Sequence, residues 1–156
     1  MITYRVGDAT APEGDGPKII PHICNDVGGW GAGFVLALSA RWTEPEAQYV
    51  DWWGSGEGFE LGAVQFVPVE PGLEIANMLG QRDVVAIDGV APVRYEALEE
   101  ALASVAERAL QSGASVHMPR IGAGLAGGDW ATIDVIIERT LLAAGVAVTV
   151  YDLPSV

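Results

Sequence analysis

From Tyr95 to Ala109 apolar residues recur at spacings of three and four, at Tyr95, Leu98, Leu102, Val105 and Ala109. Glu96, Glu99, Glu100, Glu107 and Arg108 fall off that stripe, and Gly113 follows as a stop. Such a period lays one apolar face along a helix, which then needs another layer to bury it. The layers available are short apolar runs of strand length: Ile2–Val6, Lys18–Cys24, Leu61–Val69, Leu73–Leu79, Ser115–Pro119 and Val146–Tyr151. Glu70-Pro71-Gly72 is a turn signal between the third and fourth of them. Helices are expected over Gly31–Trp42, over Pro45–Trp53 with proline in its first turn, and over Trp130–Ala144. Asp129 stands at the N-cap position of the last helix and Gly145 just past its end. Strands alternating with helices specify a three-layer α/β/α domain with a central mixed, mainly parallel sheet. The near-continuous apolar strands agree, because such strands are buried on both faces. The 156 residues suit one domain, 1–156.

Charge restricts the ligand chemistry. Twenty-one acidic against 8 basic residues give a formal net charge of −13. That field repels polyanions and lacks the basic footprint of generic nucleic-acid binding, although contact with a single modified nucleotide is compatible with it. An anionic ligand must then be held by backbone N–H groups and helix N-termini rather than by side-chain cations. The single cysteine, Cys24, excludes an internal disulfide and a multi-cysteine zinc site. No metal or cofactor is expected. No basic-then-apolar leader opens the sequence, and no run approaches the ~20 apolar residues of a spanning helix. The expectation is a cytoplasmic monomer with no membrane association.

Ligands of open α/β sheets collect at the carboxyl ends of the strands. Four segments fall there: Asn25–Gly33, Gly80–Arg82, Gly122–Gly128 and Tyr151–Asp152. The first reads Asn-Asp-Val-Gly-Gly-Trp-Gly-Ala-Gly and opens onto a helix, so its glycines bring backbone N–H groups close to a ligand. Asn25 and Asp26 add an amide and a carboxylate suited to ribose hydroxyls. The third reads Gly-Ala-Gly-Leu-Ala-Gly-Gly and formally contains G-x-G-x-x-G at Gly122, Gly124 and Gly127. A dinucleotide fold places that fingerprint in its first βα unit, with an acidic residue about 20 positions on. Here it lies in the last βα unit, Glu138 is mid-helix and Asp152 is 30 residues beyond Gly122. A phosphate cradle fits; a nicotinamide dehydrogenase does not.

Four motifs in order carry a resemblance across nearly the whole chain. They are Gly7-Asp8 after the first strand, His22-Ile23-Cys24-Asn25 leading into Gly29-Trp30-Gly31-Ala32-Gly33-Phe34, Met118-Pro119-Arg120-Ile121-Gly122-Ala123-Gly124-Leu125, and Val148-Thr149-Val150-Tyr151. Together they resemble the macro domain family, and within it the branch containing terminal ADP-ribose glycohydrolase and related bacterial hydrolases. The resemblance implies that Asp8 accepts a hydrogen bond from adenine and that Asn25 contacts the distal ribose. Gly29, Gly31 and Gly33 would line that end. Independently of the resemblance, Trp30, embedded among these glycines, is a candidate cover for the distal ribose. Gly122, Ala123, Gly124 and Leu125 would wrap the diphosphate, and Tyr151 would lie against adenine.

That branch uses a lysine after the fourth strand and an aspartate after the second glycine loop. The corresponding positions here are Gln81 and Ala126, so a lysine-adduct route is unsupported. Cleavage at the distal C1″ needs a positioned water and stabilised oxocarbenium character. Asn25, Asp26 and Gln81 are the catalytic candidates, with Asp26 the candidate base. Three activities compete: a hydrolase freeing ADP-ribose from protein carboxylates or DNA bases, a reader that only binds, and an ADP-ribose 1″-phosphate phosphatase. The partner in each case is ADP-ribose or a molecule carrying it. His22 and His117 are expected as hydrogen-bonded core or rim residues, Cys24 as a small buried hydrophobe, and Trp42, Trp52, Trp53 and Trp130 as packing. Arg120 either pairs with an acid or faces the pocket.

Overall fold

A computed structural model describes residues 1–154. Six strands and four helices follow in the order β1 (Thr3–Val6), β2 (Lys18–Asn25), α1 (Phe34–Ser39), α2 (Glu44–Ser55), β3 (Val64–Glu70), β4 (Leu73–Gln81), α3 (Tyr95–Ser112), β5 (Ser115–Met118), α4 (Trp130–Ile137) and β6 (Val148–Asp152). The sheet runs β1-β6-β5-β2-β4-β3. All its neighbours are parallel except β3, which pairs antiparallel with β4 through the Glu70–Gly72 turn. The mixed, mainly parallel sheet expected from the alternation is therefore present.

Alternation along each strand assigns its side chains to two apolar layers. Ile19, Ala76, Met78, Val116 and Val148 pack with the stripe Leu98, Leu102, Val105 and Ala109 of α3 and with Ile133 and Ile137 of α4. Ile20, Cys24, Ile75 and Leu79 pack on the opposite face with Leu38, Trp42 and Tyr49 of α1 and α2. Gly113 closes α3 in the left-handed conformation, with φ 70°, as a C′ glycine does.

Two helices differ from expectation. The one expected over Gly31–Trp42 begins only at Phe34, because Gly33 holds φ 85° and ψ −150°, outside the helical region. It ends at Ser39, and the Trp42 indole N–H turns to Glu70 Oε2, 2.9 Å away. The one expected over Trp130–Ala144 is regular only to Ile137 and widens to a π-turn over Glu138–Leu142. Thr140 donates its hydroxyl to the Ile136 carbonyl at 2.8 Å, competing with the helical ladder there. Asp129 does occupy the N-cap position, but its carboxylate takes the Thr132 hydroxyl and no backbone N–H. Among the described residues no helix is long and apolar enough to cross a membrane.

Both histidines are buried and neutral. His22 lies opposite Asn77 across β2 and β4, with Nε2 2.5 Å from Asn77 Oδ1. Asn77 spends its own N–H groups on Pro45 O and Gln65 Oε1, so the histidine is the donor. His117 joins Ser115 to the Tyr151 hydroxyl. Burial lowers the pKa of His22 to about 4, and burial with the Lys18 charge does the same for His117. In the unfolded chain both titrate near 6.5. Between those values the unfolded state binds more protons, so stability falls as pH drops from about 6.5 to 4. It levels, for these two groups, on either side of that window. The slope reaches about 1.4 kcal/mol per pH unit per histidine. Urea midpoints at pH 7 and pH 5 should differ accordingly, and equal midpoints would refute buried neutral histidines.

Candidate functional site

The crevice lies where chain direction changes. From β2 the chain leaves to α1 on one face of the sheet, and from adjacent β5 it leaves to α4 on the other. The loops following these two strands diverge to opposite faces of the sheet, and the carboxyl edge between them is the usual place for a ligand cleft in such sheets. They are the two glycine-rich segments. The carboxyl ends of β1, β6, β5, β2 and β4 share this edge because those strands are parallel. Four interstrand spacings separate β1 from β4, about 19 Å, enough for an extended dinucleotide-sized ligand. Leu125 of the second loop reaches within 3.2 Å of the place a Gly33 Cβ would occupy, so the two loops meet over the cleft.

Asn25 organises the first loop. Its Oδ1 accepts the N–H groups of Val27 at 3.0 Å and Gly29 at 2.9 Å, and its Nδ2 donates to Gly29 O at 2.8 Å. Tyr49 of α2 brings its hydroxyl to 2.7 Å from Asn25 O and 2.9 Å from Oδ1, and accepts the Gly28 N–H. Burial raises the Tyr49 pKa, so this hydroxyl stays protonated and donating. Gly28 sits at φ 78°, and a Cβ there would lie 2.5 Å from the Trp53 ring. Beyond this brace, the N–H groups of Gly31, Ala32 and Gly33 take no partner among the described residues.

The second loop closes on itself. Gly128 N–H donates to Gly122 O at 2.6 Å and Gly127 N–H to Gly124 O at 3.0 Å. A Cβ on Gly128 would meet that Gly122 oxygen at 2.5 Å, so the ring of backbone requires glycine there. The Gly124 and Leu125 N–H groups have no partner among the described residues, and Gly124 and Leu125 are exposed. Ala123 donates its N–H to Arg120 O.

At the β1 end, Asp8 Oδ1 accepts the N–H and hydroxyl of Thr10, and Arg41 lies 3.6 Å from Oδ2. Slight burial works against it, yet the Thr10 bonds and the Arg41 charge hold the Asp8 carboxyl below its usual pKa. Tyr151 departs from expectation. It is 4% exposed, its ring lies under Gly7, and its hydroxyl is held by His117 and the Glu13 N–H. It braces the Asp8 loop and offers no open face to a base. Trp30 departs in the same way. It is 7% exposed, packs on His22 and Tyr49, and donates its indole N–H to Ser39. It is core rather than a cover for ribose, because its neighbours on α1 and α2 fill the apolar layer it points into. Arg120 pairs with Asp152 through two bonds, 2.7 and 3.0 Å, between the rings of Tyr4 and Trp130.

The connection from β4 to α3 is a feature the sequence reading passed over. Asp88-Gly89 forms a tight turn with both residues at positive φ, and Ile87 pairs with Val90. An Asp-Gly pair between apolar residues is a recognisable hairpin signal. Asp83 N–H donates to Asp26 Oδ1 at 2.7 Å, and Gln81 Nε2 donates to Asp83 O at 2.8 Å. Val93 N–H donates to Ala126 O at 3.0 Å. The segment thus ties both glycine loops together at the β4 end. Asn25, Asp26 and Gln81 are brought to one place; Asp8 and Tyr151 lie at the other end of the cleft. A groove of about 420 Å³ between α3 and α4 is lined by Tyr95, Glu96, Glu99, Val135 and Arg139 and includes no residue of either glycine loop. Its cation is already paired with Glu99, so we place the site at the strand edge.

No family model matches the chain. It is similar throughout to solved structures. A protein of unknown function from Bacteroides thetaiotaomicron is 55% identical over 98% of each chain, with a TM-score of 0.97. A macrodomain protein from Streptomyces coelicolor is 52% identical over 97% of this chain and 99% of that one, with a TM-score of 0.86. A Thermosipho africanus DarTG solved in complex with ADP-ribose shares the fold at a TM-score of 0.69 and 19% identity, over 87% of this chain and 38% of that one. Chromodomain-helicase-DNA-binding protein 1-like of Danio rerio is 34% identical over 96% of this chain, and its Mus musculus counterpart 30% over 98%. The chain spans only 15% and 18% of the length of those two relatives.

Proposed function

Because this chain belongs to the macro domain family, we propose that it binds ADP-ribose across the carboxyl edge of its sheet and hydrolyses the bond joining that ADP-ribose to a protein carboxylate or a DNA base. One observation carries the binding: two glycine loops follow the adjacent strands β2 and β5 at the carboxyl edge, and the N–H groups of Gly31–Gly33, Gly124 and Leu125 have no partner among the described residues. In a chain of net charge −13 these groups, rather than cations, suit a diphosphate. The adenine end then falls near Asp8 and the distal ribose near Asn25, Asp26 and Gln81. The Thermosipho protein that shares the fold was solved in complex with ADP-ribose, which supports the choice of ligand.

For hydrolysis, water attacks C1″ while the bond from C1″ to the carrier breaks. The water proton passes to Asp26, and the carrier leaves with its electron pair and takes up a proton from solvent. Asp26 Oδ1 is held by the Asp83 N–H, which leaves Oδ2 for this task. The amide of Gln81 supplies polarity but no charge. A non-catalytic reader is the second reading, favoured by one observation: the Asn25 amide is consumed by the loop it braces.

Wild-type protein incubated with ADP-ribosylated glutamate, ADP-ribosylated DNA and ADP-ribose 1″-phosphate separates these readings. Hydrolysis predicts release of ADP-ribose from one of the first two. Asp26→Asn keeps the acceptor for Asp83 but removes the base, and kcat should fall about 10²-fold while ADP-ribose affinity stays within threefold. Binding without turnover of any of the three substrates identifies a reader, and turnover of the third alone identifies a phosphatase.

A further inference from the structure

We infer that Asp83 is a positioning residue that sets the distal-sugar end of the cleft, and so makes the site distinguish ADP-ribose from ADP. The inference rests on the ADP-ribose reading above and assigns a role to a residue outside both glycine loops. Asp83 is one of two non-glycine residues with positive φ among those described, at 60°. The left-handed region is unfavourable for an ordinary side chain, and aspartate tolerates it through local hydrogen bonding. Here that bond is present, because the Asp83 carboxylate accepts the Val84 N–H at 2.6 Å.

The unusual backbone has a consequence for its neighbours. It directs the Asp83 N–H to Asp26 Oδ1 and its carbonyl to Gln81 Nε2. The two candidate side chains at the proposed distal-sugar end are thus fixed by opposite ends of one residue. Val84, next in sequence, places Cγ1 3.3 Å from the position of a Gly29 Cβ, closing the contact with the first loop. On the far side the same segment reaches the second loop through Val93 N–H to Ala126 O, and Ala91 packs at Gly127. The β4 end of the cleft therefore has its width set by this segment, while Asp8 and the β1 end are four strands away and untouched by it.

Alanine at 83 cannot accept the Val84 N–H, and its methyl resists φ of 60°. The peptide is then free to rotate, releasing both Asp26 and Gln81. Asparagine keeps the acceptor and tolerates the left-handed region. The test is calorimetric titration of wild type, Asp83→Ala and Asp83→Asn with ADP-ribose and, separately, with ADP, which lacks the distal sugar. We expect Asp83→Ala to lose tenfold or more in affinity for ADP-ribose while ADP changes less than twofold, and Asp83→Asn to recover ADP-ribose to within threefold of wild type. Equal losses for both nucleotides would show a general structural role and overturn the inference. So would an unchanged ADP-ribose affinity in Asp83→Ala, or a failure of Asp83→Asn to rescue. Wild type that binds no ADP-ribose would overturn the proposed function, and this inference with it.

Discussion

Asn25→Ala is expected to destabilise the ligand-free protein by about 2 kcal/mol and to lower ADP-ribose affinity by tenfold or more. The stability loss follows from hydrogen bonds that no water can fully replace. Asn25 is 8% exposed, and its amide joins Val27, Gly29 and Tyr49. Leaving partly buried donors and acceptors without partners costs roughly 1–3 kcal/mol each, less where solvent reaches them. The affinity loss follows from the first, because the backbone of Gly29–Gly33 is aimed by this brace. Asn25→Asp retains the acceptor for Val27, Gly29 and Tyr49 but sets a carboxylate against the Gly29 carbonyl, now 2.8 Å from Nδ2. It should fall between wild type and alanine in stability. Urea unfolding without ligand decides the matter. A variant as stable as wild type yet deficient in binding would make Asn25 a direct ligand contact and not the loop's organiser.

The second large effect is expected at Gly128. Its Cβ would stand 2.5 Å from Gly122 O and 3.0 Å from Ile133 Cδ1. The first of these is backbone, so the second loop must open and the 2.6 Å bond from Gly128 N–H must break. Overpacking of this kind costs about 1–3 kcal/mol. Because Gly124 and Leu125 lie within the ring that this bond closes, ADP-ribose affinity should fall at least tenfold in Gly128→Ala. Gly124→Ala is the control for stability, since a Cβ there meets nothing within 4 Å. Its urea midpoint should match wild type. If Gly128→Ala unfolds and binds like wild type, the second loop is not the closed cradle described above.

Regular periodicity made most of the fold legible. The stripe on α3, its glycine stop and the alternating apolar strands led to the mixed sheet and to the shared carboxyl edge. Exceptions arose where a side chain competes with the backbone or where glycine takes a non-helical conformation. Thr140 and Gly33 shorten their helices for those two reasons. Within the site, the glycine loops were legible because their composition is itself the signal. Burial was not. An aromatic embedded among glycines reads as a ligand cover, yet Trp30 is drawn into the layer formed by Tyr49 and His22. Tyr151 is likewise claimed by His117 and the Asp8 loop. Tyr49 and Asp83 were missed for a different reason: each acts through partners 24 and 57 residues away. No local pattern announces such a contact, although the Asp88-Gly89 turn did mark the segment carrying Asp83.

The central claim is that ADP-ribose lies between the two glycine loops, held by their backbone. Titrating isotope-labelled protein with ADP-ribose and following its amide resonances tests this most directly. The account predicts saturable shifts concentrated at Gly31–Gly33, Gly124–Leu125 and the Asp8–Thr10 loop, with the α3–α4 groove around Glu99 and Arg139 unmoved. Shifts confined to that groove, or none at all at saturating ADP-ribose, would contradict it.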